Sequence, residues 1–217
     1  MLRVVIYAEG AGELAGAVRS QRAPSSPLEG EELGAAHLLV RRCLERCRGL
    51  DTSLIQFEEP LRTRRGKLAR GSDLHSPDTL RTLLFWADAR KQPDLVVVLV
   101  DQDGDEDRQQ ALASRVEDVP VKTVVAVAIQ EFEAWLIADP NALKSVFHQP
   151  LRMNKPPERL GRREAKDQLN QWSEQHARSK EPAELRRQLA EQCDLDIVAQ
   201  QCSAFSEFLR RLGCQRQ

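Results

Sequence analysis

A chain of 217 residues carries enough apolar sequence for one well-packed core and a modest appendage, but not for two full α/β domains. Its 32 Lys and Arg residues nearly balance 33 Asp and Glu, which excludes both a nucleic-acid-coating protein and a disordered acidic one and leaves any affinity for phosphate to local patterning. The opening MLRVVIYAEG is too short an apolar run for a signal peptide and no later stretch approaches a bilayer span, so the expectation is a cytoplasmic chain with no membrane partner.

Residues 2–8 form a β-branched run that stops at Glu9-Gly10-Ala11-Gly12, the pattern of a buried parallel strand giving way to a loop. A Pro/Ser-rich stretch, 23–28, precedes a predicted helix over 31–48, and residues 53–57 read as a second strand. Residues 61–72 hold Arg62, Arg64, Arg65, Lys67 and Arg70 with two glycines and no apolar period, which predicts a mobile basic loop. Ser76-Pro77-Asp78 then offers an N-cap with proline at the first helical position, predicting a helix to about Arg90. The run LVVVLV within 93–100 is the clearest buried strand and ends in Asp101-Gln102-Asp103-Gly104-Asp105. A helix through Val116 and a fourth strand, 123–129, complete a strand-helix rhythm whose simplest solution is a parallel sheet of about four strands with helices on both faces. That core spans residues 1–140. A helical C-terminal extension over 141–217 is expected to pack on it, with amphipathic segments at 182–192 and 198–212. Five cysteines without zinc-finger spacing are expected as reduced thiols, Cys193, Cys202 and Cys214 serving as small apolar fillers.

In an open parallel sheet the loops after the strand ends share one edge, and ligands collect where the strand order reverses. Three of the four predicted strands end in acids there: Glu9 with Glu13, Asp101 with Asp103, and Glu131 with Glu133. Carboxylates forced together repel and raise one another's pKa unless a cation neutralises them, and the absence of clustered His or Cys makes a hard ion, Mg²⁺ or Mn²⁺ in one or two copies, the natural occupant. Glu131 and Glu133 stand two residues apart, so they do not both ligate one ion. Asp105, Glu106 and Asp107 read as acids meeting the next helix dipole, Asp139 as an N-cap or a functional residue, and Trp135 as core. The basic loop from Arg62 to Arg70, and Arg152, Lys155, Arg159, Arg162, Arg163 and Lys166, are candidates to hold flanking phosphates, Lys166 also to stabilise a developing charge. Gly10-Ala11-Gly12-Glu13-Leu14-Ala15 loosely fits a dinucleotide fingerprint, but Glu9 and Glu13 would crowd a pyrophosphate, and no Walker A is present.

At these residues the chain resembles the Toprim superfamily, which places a Glu after its first strand and an Asp-x-Asp after a later one in a Rossmann-like sheet; here these are Glu9 and Asp101-x-Asp103. More narrowly, AEGAGE at 8–13, VDQDGD at 100–105, EFEAWLIAD at 131–139 and the tail CSAFSEFLRRL are similar to a small bacterial family known as domain of unknown function 4276. The resemblance implies a Toprim fold and Mg²⁺-dependent cleavage of nucleic acid, DNA in the first instance, like that of nucleases of the overcoming-lysogenization-defect type. It implies Glu9, Asp101 and Asp103 as the firmest metal-binding and catalytic positions, then Glu13 and Glu131 or Glu133. It also implies a separate ATPase of the structural-maintenance type as partner, in a phage-defence setting, and leaves a homo-oligomer open. The first motif departs from relatives that more often carry Pro or Thr between the acids. Topoisomerase and primase activities are disfavoured, since the remaining length fits no cleavage or polymerising module and the only tyrosine, Tyr7, lies within strand one. The alternative is a non-catalytic regulatory or scaffolding subunit that keeps the metal site.

Overall fold

In the computed structural model, which describes residues 1–15, 27–63 and 65–214, each predicted β-branched run is a strand. These are β1 (Leu2–Ala8), β2 (Ile55–Glu58), β3 (Leu95–Asp101) and β4 (Thr123–Ala128), paired in parallel in the order β2-β1-β3-β4. The chain therefore moves outward from β1 to β2, returns past β1 to β3 and continues to β4, so the order reverses between β1 and β3. The fold is the expected Rossmann-like α/β sheet with a helical C-terminal part.

Alternation along the central strands explains the two layers. Val4, Ile6 and Ala8 with Leu95, Val97 and Leu99 face one side, and Val5 and Tyr7 with Val96, Val98 and Val100 face the other. Both sets are buried, which is why the strands read as continuous apolar runs rather than as alternating ones. After the short turn α1 (Ala11–Leu14), α2 (Ala35–Arg48) covers the first side. Past α3 (Ser72–His75), the second side is covered by Leu80, Leu83, Leu84 and Ala87 of α4 (Pro77–Lys91) and Leu112 of α5 (Arg108–Val116). Ser76 caps α4 by accepting from the Thr79 N–H at 3.4 Å, with Pro77 in the first helical position, as the sequence predicts.

The turn α6 (Glu133–Leu136) and the helices α7 (Pro140–Phe147), α8 (Glu164–His176), α9 (Pro182–Gln192), α10 (Leu195–Gln201) and α11 (Ser203–Leu212) share the core of the α2 side. Trp135, 1% exposed, joins them to the sheet: its ring stacks on Phe208 at 5.9 Å and meets Phe205 edge-on at 5.2 Å. Asp139 is the N-cap of α7, accepting from Asn141 N–H, and its second oxygen accepts from Asp194 N–H, both at 2.8 Å. The same carboxylate thus ties the start of α7 to the start of α10.

Three expectations are corrected. The predicted helix over 198–212 breaks at Cys202, whose extended backbone (φ −128°, ψ 103°) separates α10 from α11. The cause lies 45 residues away: Glu158 accepts from the N–H groups of Ser203 at 2.6 Å and Ala204 at 2.9 Å and so supplies the new helix with its cap. The predicted helix over 31–48 starts only at Ala35, because Gly34 approaches the preceding loop so closely that a Cβ there would stand 2.5 Å from the Glu13 carbonyl oxygen. Finally, reduced thiols are not what the structure shows for Cys47 and Cys214. Packing of α11 along α2 brings their Cα atoms to 4.3 Å across 167 residues of sequence and joins them in a disulfide, while Cys43, Cys193 and Cys202 are buried free thiols. Cys47→Ser is expected to cost about 2–4 kcal/mol in thermal denaturation of oxidised protein and nothing beyond wild type under a reducing dithiol. Equal melting of the two proteins under oxidising conditions would remove the bond from the native state in solution.

Candidate metal centre

The loops at the carboxyl ends of β1, β3 and β4 meet at one edge of the sheet, across the reversal between β1 and β3. The backbone of Glu9 still pairs with β3, donating to Leu99 O at 3.0 Å, so its side chain is delivered to the end of that strand. There its carboxylate accepts from the Asp101 N–H at 2.8 Å. Asp101 in turn accepts from the Phe132 N–H at 2.8 Å, which ties the end of β3 to the loop after β4. Glu13 folds back over its own turn to accept from Gly10 N–H at 2.9 Å. A Cβ at position 10 would lie 2.4 Å from the Glu13 Oε1, so a side chain there would displace the Glu13 carboxylate from this hydrogen bond.

These acids repel. Burial first, then the charges of Glu13, Glu9 and Glu133, push the Asp101 carboxyl up to about 9, against the opposing hydrogen bond from Phe132. Burial likewise pushes Glu13 up to about 8, with Glu133 and Glu9 adding to it, and Gly10 N–H and the Lys166 charge opposing. Glu131 is raised too, by burial and by Glu133, while Lys166 opposes through its N–H, 2.9 Å from the carboxylate, and through its charge. Glu9, Glu13, Asp101, Glu131 and Glu133 therefore form one electrostatically coupled set, and Lys166, on the first turn of α8, lies beside it.

Two neighbours that the sequence does not reveal complete the set. Arg186 on α9, 8% exposed, places Nε and Nη2 each 3.1 Å from Glu133 Oε1, so Glu133 is held by a protein cation. His75 ends α3 with Nε2 3.4 Å from Glu9 Oε2. Neither position carries a pattern in the sequence: Arg186 sits among the polar residues of an amphipathic helix, and His75 is one of four scattered histidines.

Asp103 stands apart from these coupled acids. It lies on the rim, 3.4 Å from Arg162 Nε and 3.8 Å from Arg108 Nη1, and Arg108 also donates to the carbonyl oxygen of Asp101. Its backbone is left-handed (φ 50°), as are those of Gln130 (φ 64°) and Arg163 (φ 64°), all three in loops bordering the acids; the other non-glycine residues with positive φ, Gln92 and His148, are ordinary helix C-caps. Backbone held in this region costs of order 1 kcal/mol per residue and gathers where geometry serves function. Asp105 pairs with Arg108 at 3.5 Å, and α5 begins only after Asp107.

The basic segments flank the acids on two sides. The segment expected as a mobile loop is closed on itself, Thr63 N–H donating to Lys67 O at 2.8 Å and Gly66 N–H to Thr63 O at 2.9 Å, with Arg62, Arg65, Lys67 and Arg70 exposed. Arg64 lies outside the described residues. The segment ends on the site, where Gly71 N–H donates to Glu9 O at 3.3 Å. On the other side Arg152, Lys155, Arg159, Arg162 and Arg163 are exposed in the turns before α8. Among the described residues, no group of three or more His, Cys, Asp or Glu side chains is arranged to hold a metal ion as the side chains stand. What fits a cation is the chemistry of the set: coupled carboxyls whose ionisation burial and mutual repulsion oppose, with Lys166 and Arg186 as neighbouring positive charges.

A family model described as a domain of unknown function, DUF4276, matches residues 35–213, which include Asp101, Asp103, Glu131 and Glu133 but not Glu9 or Glu13. No curated protein matches the chain. No solved structure matches it either.

Proposed function

The chain belongs to the DUF4276 family, and from the acids that its strand ends gather we propose that it is a Toprim-like, divalent-metal-dependent nuclease that hydrolyses nucleic-acid phosphodiesters. The observation that carries the reading is the coupling of Glu9, Glu13 and Asp101 between two exposed basic segments. Carboxyls raised to about 8 and 9 by burial and by one another are poor acids to leave ionised alone and good ligands for Mg²⁺ or Mn²⁺. Bound by Glu9, Glu13 and Asp101, with Glu131 as the further acid, such an ion would polarise a phosphodiester and activate water near neutral pH. Glu133, already neutralised by Arg186, serves the set as a fixed charge instead.

The remaining groups have roles of their own. Arg70 on one side and Arg162 on the other hold the phosphates flanking the scissile one, and Lys166 offsets the charge that develops on the phosphoryl and leaving oxygens. DNA is the substrate proposed, with a separate ATPase of the structural-maintenance type as partner and the cytoplasm as location; among the described residues no helix is long and apolar enough to cross a membrane. Incubation of the purified chain, alone and with such an ATPase, on supercoiled plasmid and single-stranded DNA tests the reading. Expected is Mg²⁺- or Mn²⁺-dependent cleavage that falls at least about 100-fold in Glu9→Gln. Equal cleavage by wild type and Glu9→Gln, or none under any of these conditions, would remove it.

One observation favours a second reading, a regulatory or scaffolding subunit: Arg186 gives the acids a counterion from within the protein, which a site built wholly for metal has less use for. That reading requires stable co-purification with a partner and intact DNA even when titration calorimetry shows Mn²⁺ bound, and the nuclease reading requires metal-dependent cleavage that Glu9→Gln abolishes.

A further inference from the structure

We propose that α4 is the interface of a symmetric homodimer, packed antiparallel against α4 of a second copy of this chain. The helix is apolar on two sides. Leu80, Leu83, Leu84 and Ala87 are buried against the sheet, yet Phe85 on the opposite side is 40% exposed, the one exposed Phe, Tyr or Trp among the described residues. At 3.6 residues per turn, Asp78, Arg81, Phe85, Asp88 and Ala89 fall on one outward stripe, with Thr82 and Trp86 along its edge. Phe85 and Trp86 help to line a depression of about 460 Å³ shared with Asp78, Arg81 and Thr82. Exposed Phe85 and half-buried Trp86, with Arg81 5.6 Å from the Phe85 ring and Arg90 5.1 Å from the Trp86 ring, match the composition of interface hot spots.

The charges select the occupant. Asp78, Arg81 and Asp88 give the stripe mixed charge with no net positive field to attract a nucleic-acid strand. Their order is self-complementary. Arg81 precedes Phe85 by four residues and Asp88 follows it by three, so a two-fold axis crossing the helix between Leu84 and Phe85 sets Arg81 opposite Asp88 of the partner subunit, and Asp88 opposite Arg81 of the partner subunit. A two-fold contact makes this pair twice around a shared aromatic centre. Neither Arg81, Asp78 nor Asp88 is in an ion pair among the described residues, so the charges are available. Because α4 starts beside His75, antiparallel packing leaves the acids of both protomers open at opposite ends of the dimer.

Sedimentation velocity on the full chain up to about 100 µM tests this, a range in which even a weak specific dimer is populated. Wild type is expected to be dimeric. Phe85→Glu, Arg81→Asp and Asp88→Arg are each expected to raise the dimer dissociation constant at least about 30-fold with unchanged circular dichroism and melting, and Arg81→Asp combined with Asp88→Arg to restore it to within about 10-fold of wild type. A monomeric wild type, a dimer indifferent to these substitutions, or a charge swap that does not restore association overturns the proposal. So does a wild-type monomer in which Phe85→Glu instead weakens DNA binding or capture by a partner protein, since the stripe then belongs to that ligand.

Discussion

In Asp101→Asn the metal-free protein is expected to lose only about half as much melting temperature between pH 5 and pH 9 as wild type, which loses roughly 10 °C or more. The Asp101 carboxyl is pushed up to about 9 in the folded chain by burial and by Glu13, Glu9 and Glu133, against an ordinary value near 3.8, and Glu13 is pushed up to about 8. A carboxyl with a raised folded pKa contributes most to stability below its unfolded pKa. That contribution is lost as pH rises from about 4 towards 9, because the unfolded chain sheds the proton freely and the folded one pays to do so. Between pH 5 and pH 9 Asp101 accounts for on the order of 5 kcal/mol and Glu13 for somewhat less, each kcal/mol being worth roughly 2–4 °C for a chain of this size. Asparagine copies the protonated acid: its amide oxygen can accept the Phe132 N–H as Asp101 Oδ1 does at 2.8 Å, and it cannot ionise. Only the smaller slope from Glu13 remains. If the acids hold Mn²⁺, the ion competes with these protons, so it stabilises wild type most at alkaline pH and leaves Asp101→Asn unchanged. A flat wild-type profile, or equal stabilisation of both proteins by Mn²⁺, would show that the acids are not coupled as described.

The second large effect is expected at Arg186. Arg186→Leu removes the cation from a carboxylate that is 4% exposed and leaves Glu133 charged beside Glu13 and Asp101. Orphaning one member of a buried ion pair costs about 3–5 kcal/mol, more than the pair itself is worth. The double variant Arg186→Leu with Glu133→Gln is therefore expected to recover most of the loss, and urea denaturation of wild type, the two single variants and the double gives the coupling directly. Additive losses in the double variant would mean that Arg186 acts by packing on Pro182 and its neighbours rather than through Glu133. The cycle also tests how α9 serves the site: if Arg186 acts by charge, Arg186→Leu perturbs the pH profile of melting, which a packing defect leaves alone.

The strands and the acids at their ends were legible because each is a local pattern. Leu2–Ala8 and Leu95–Asp101 are buried on both faces, and only continuous β-branched runs satisfy that; Glu9 and Asp101 follow them directly. Where the order reverses, between β1 and β3, did not follow from them, because parallel crossovers leave the strand order open. What was not legible depends on partners far away in sequence. The break at Cys202 comes from Glu158, the late start of α2 from the approach of the Glu13 loop to Gly34, and the Cys47–Cys214 bond from the packing of α11 along α2. Asp103 looked equivalent to Asp101 in an Asp-x-Asp motif. The fold separates them, because Asp101 ends a strand and accepts from the next loop, whereas Asp103 turns through a left-handed residue onto Arg162 at the rim.

By itself, then, the sequence determined the parallel sheet and the edge at which acids would collect, since periodicity and strand termini depend on near neighbours. The tertiary structure alone decided which acids share one buried field and which face a cation. That choice belongs to Arg186 and Lys166, brought in from α9 and α8, and Coulomb interactions depend on distance through space, which spacing along the chain does not encode.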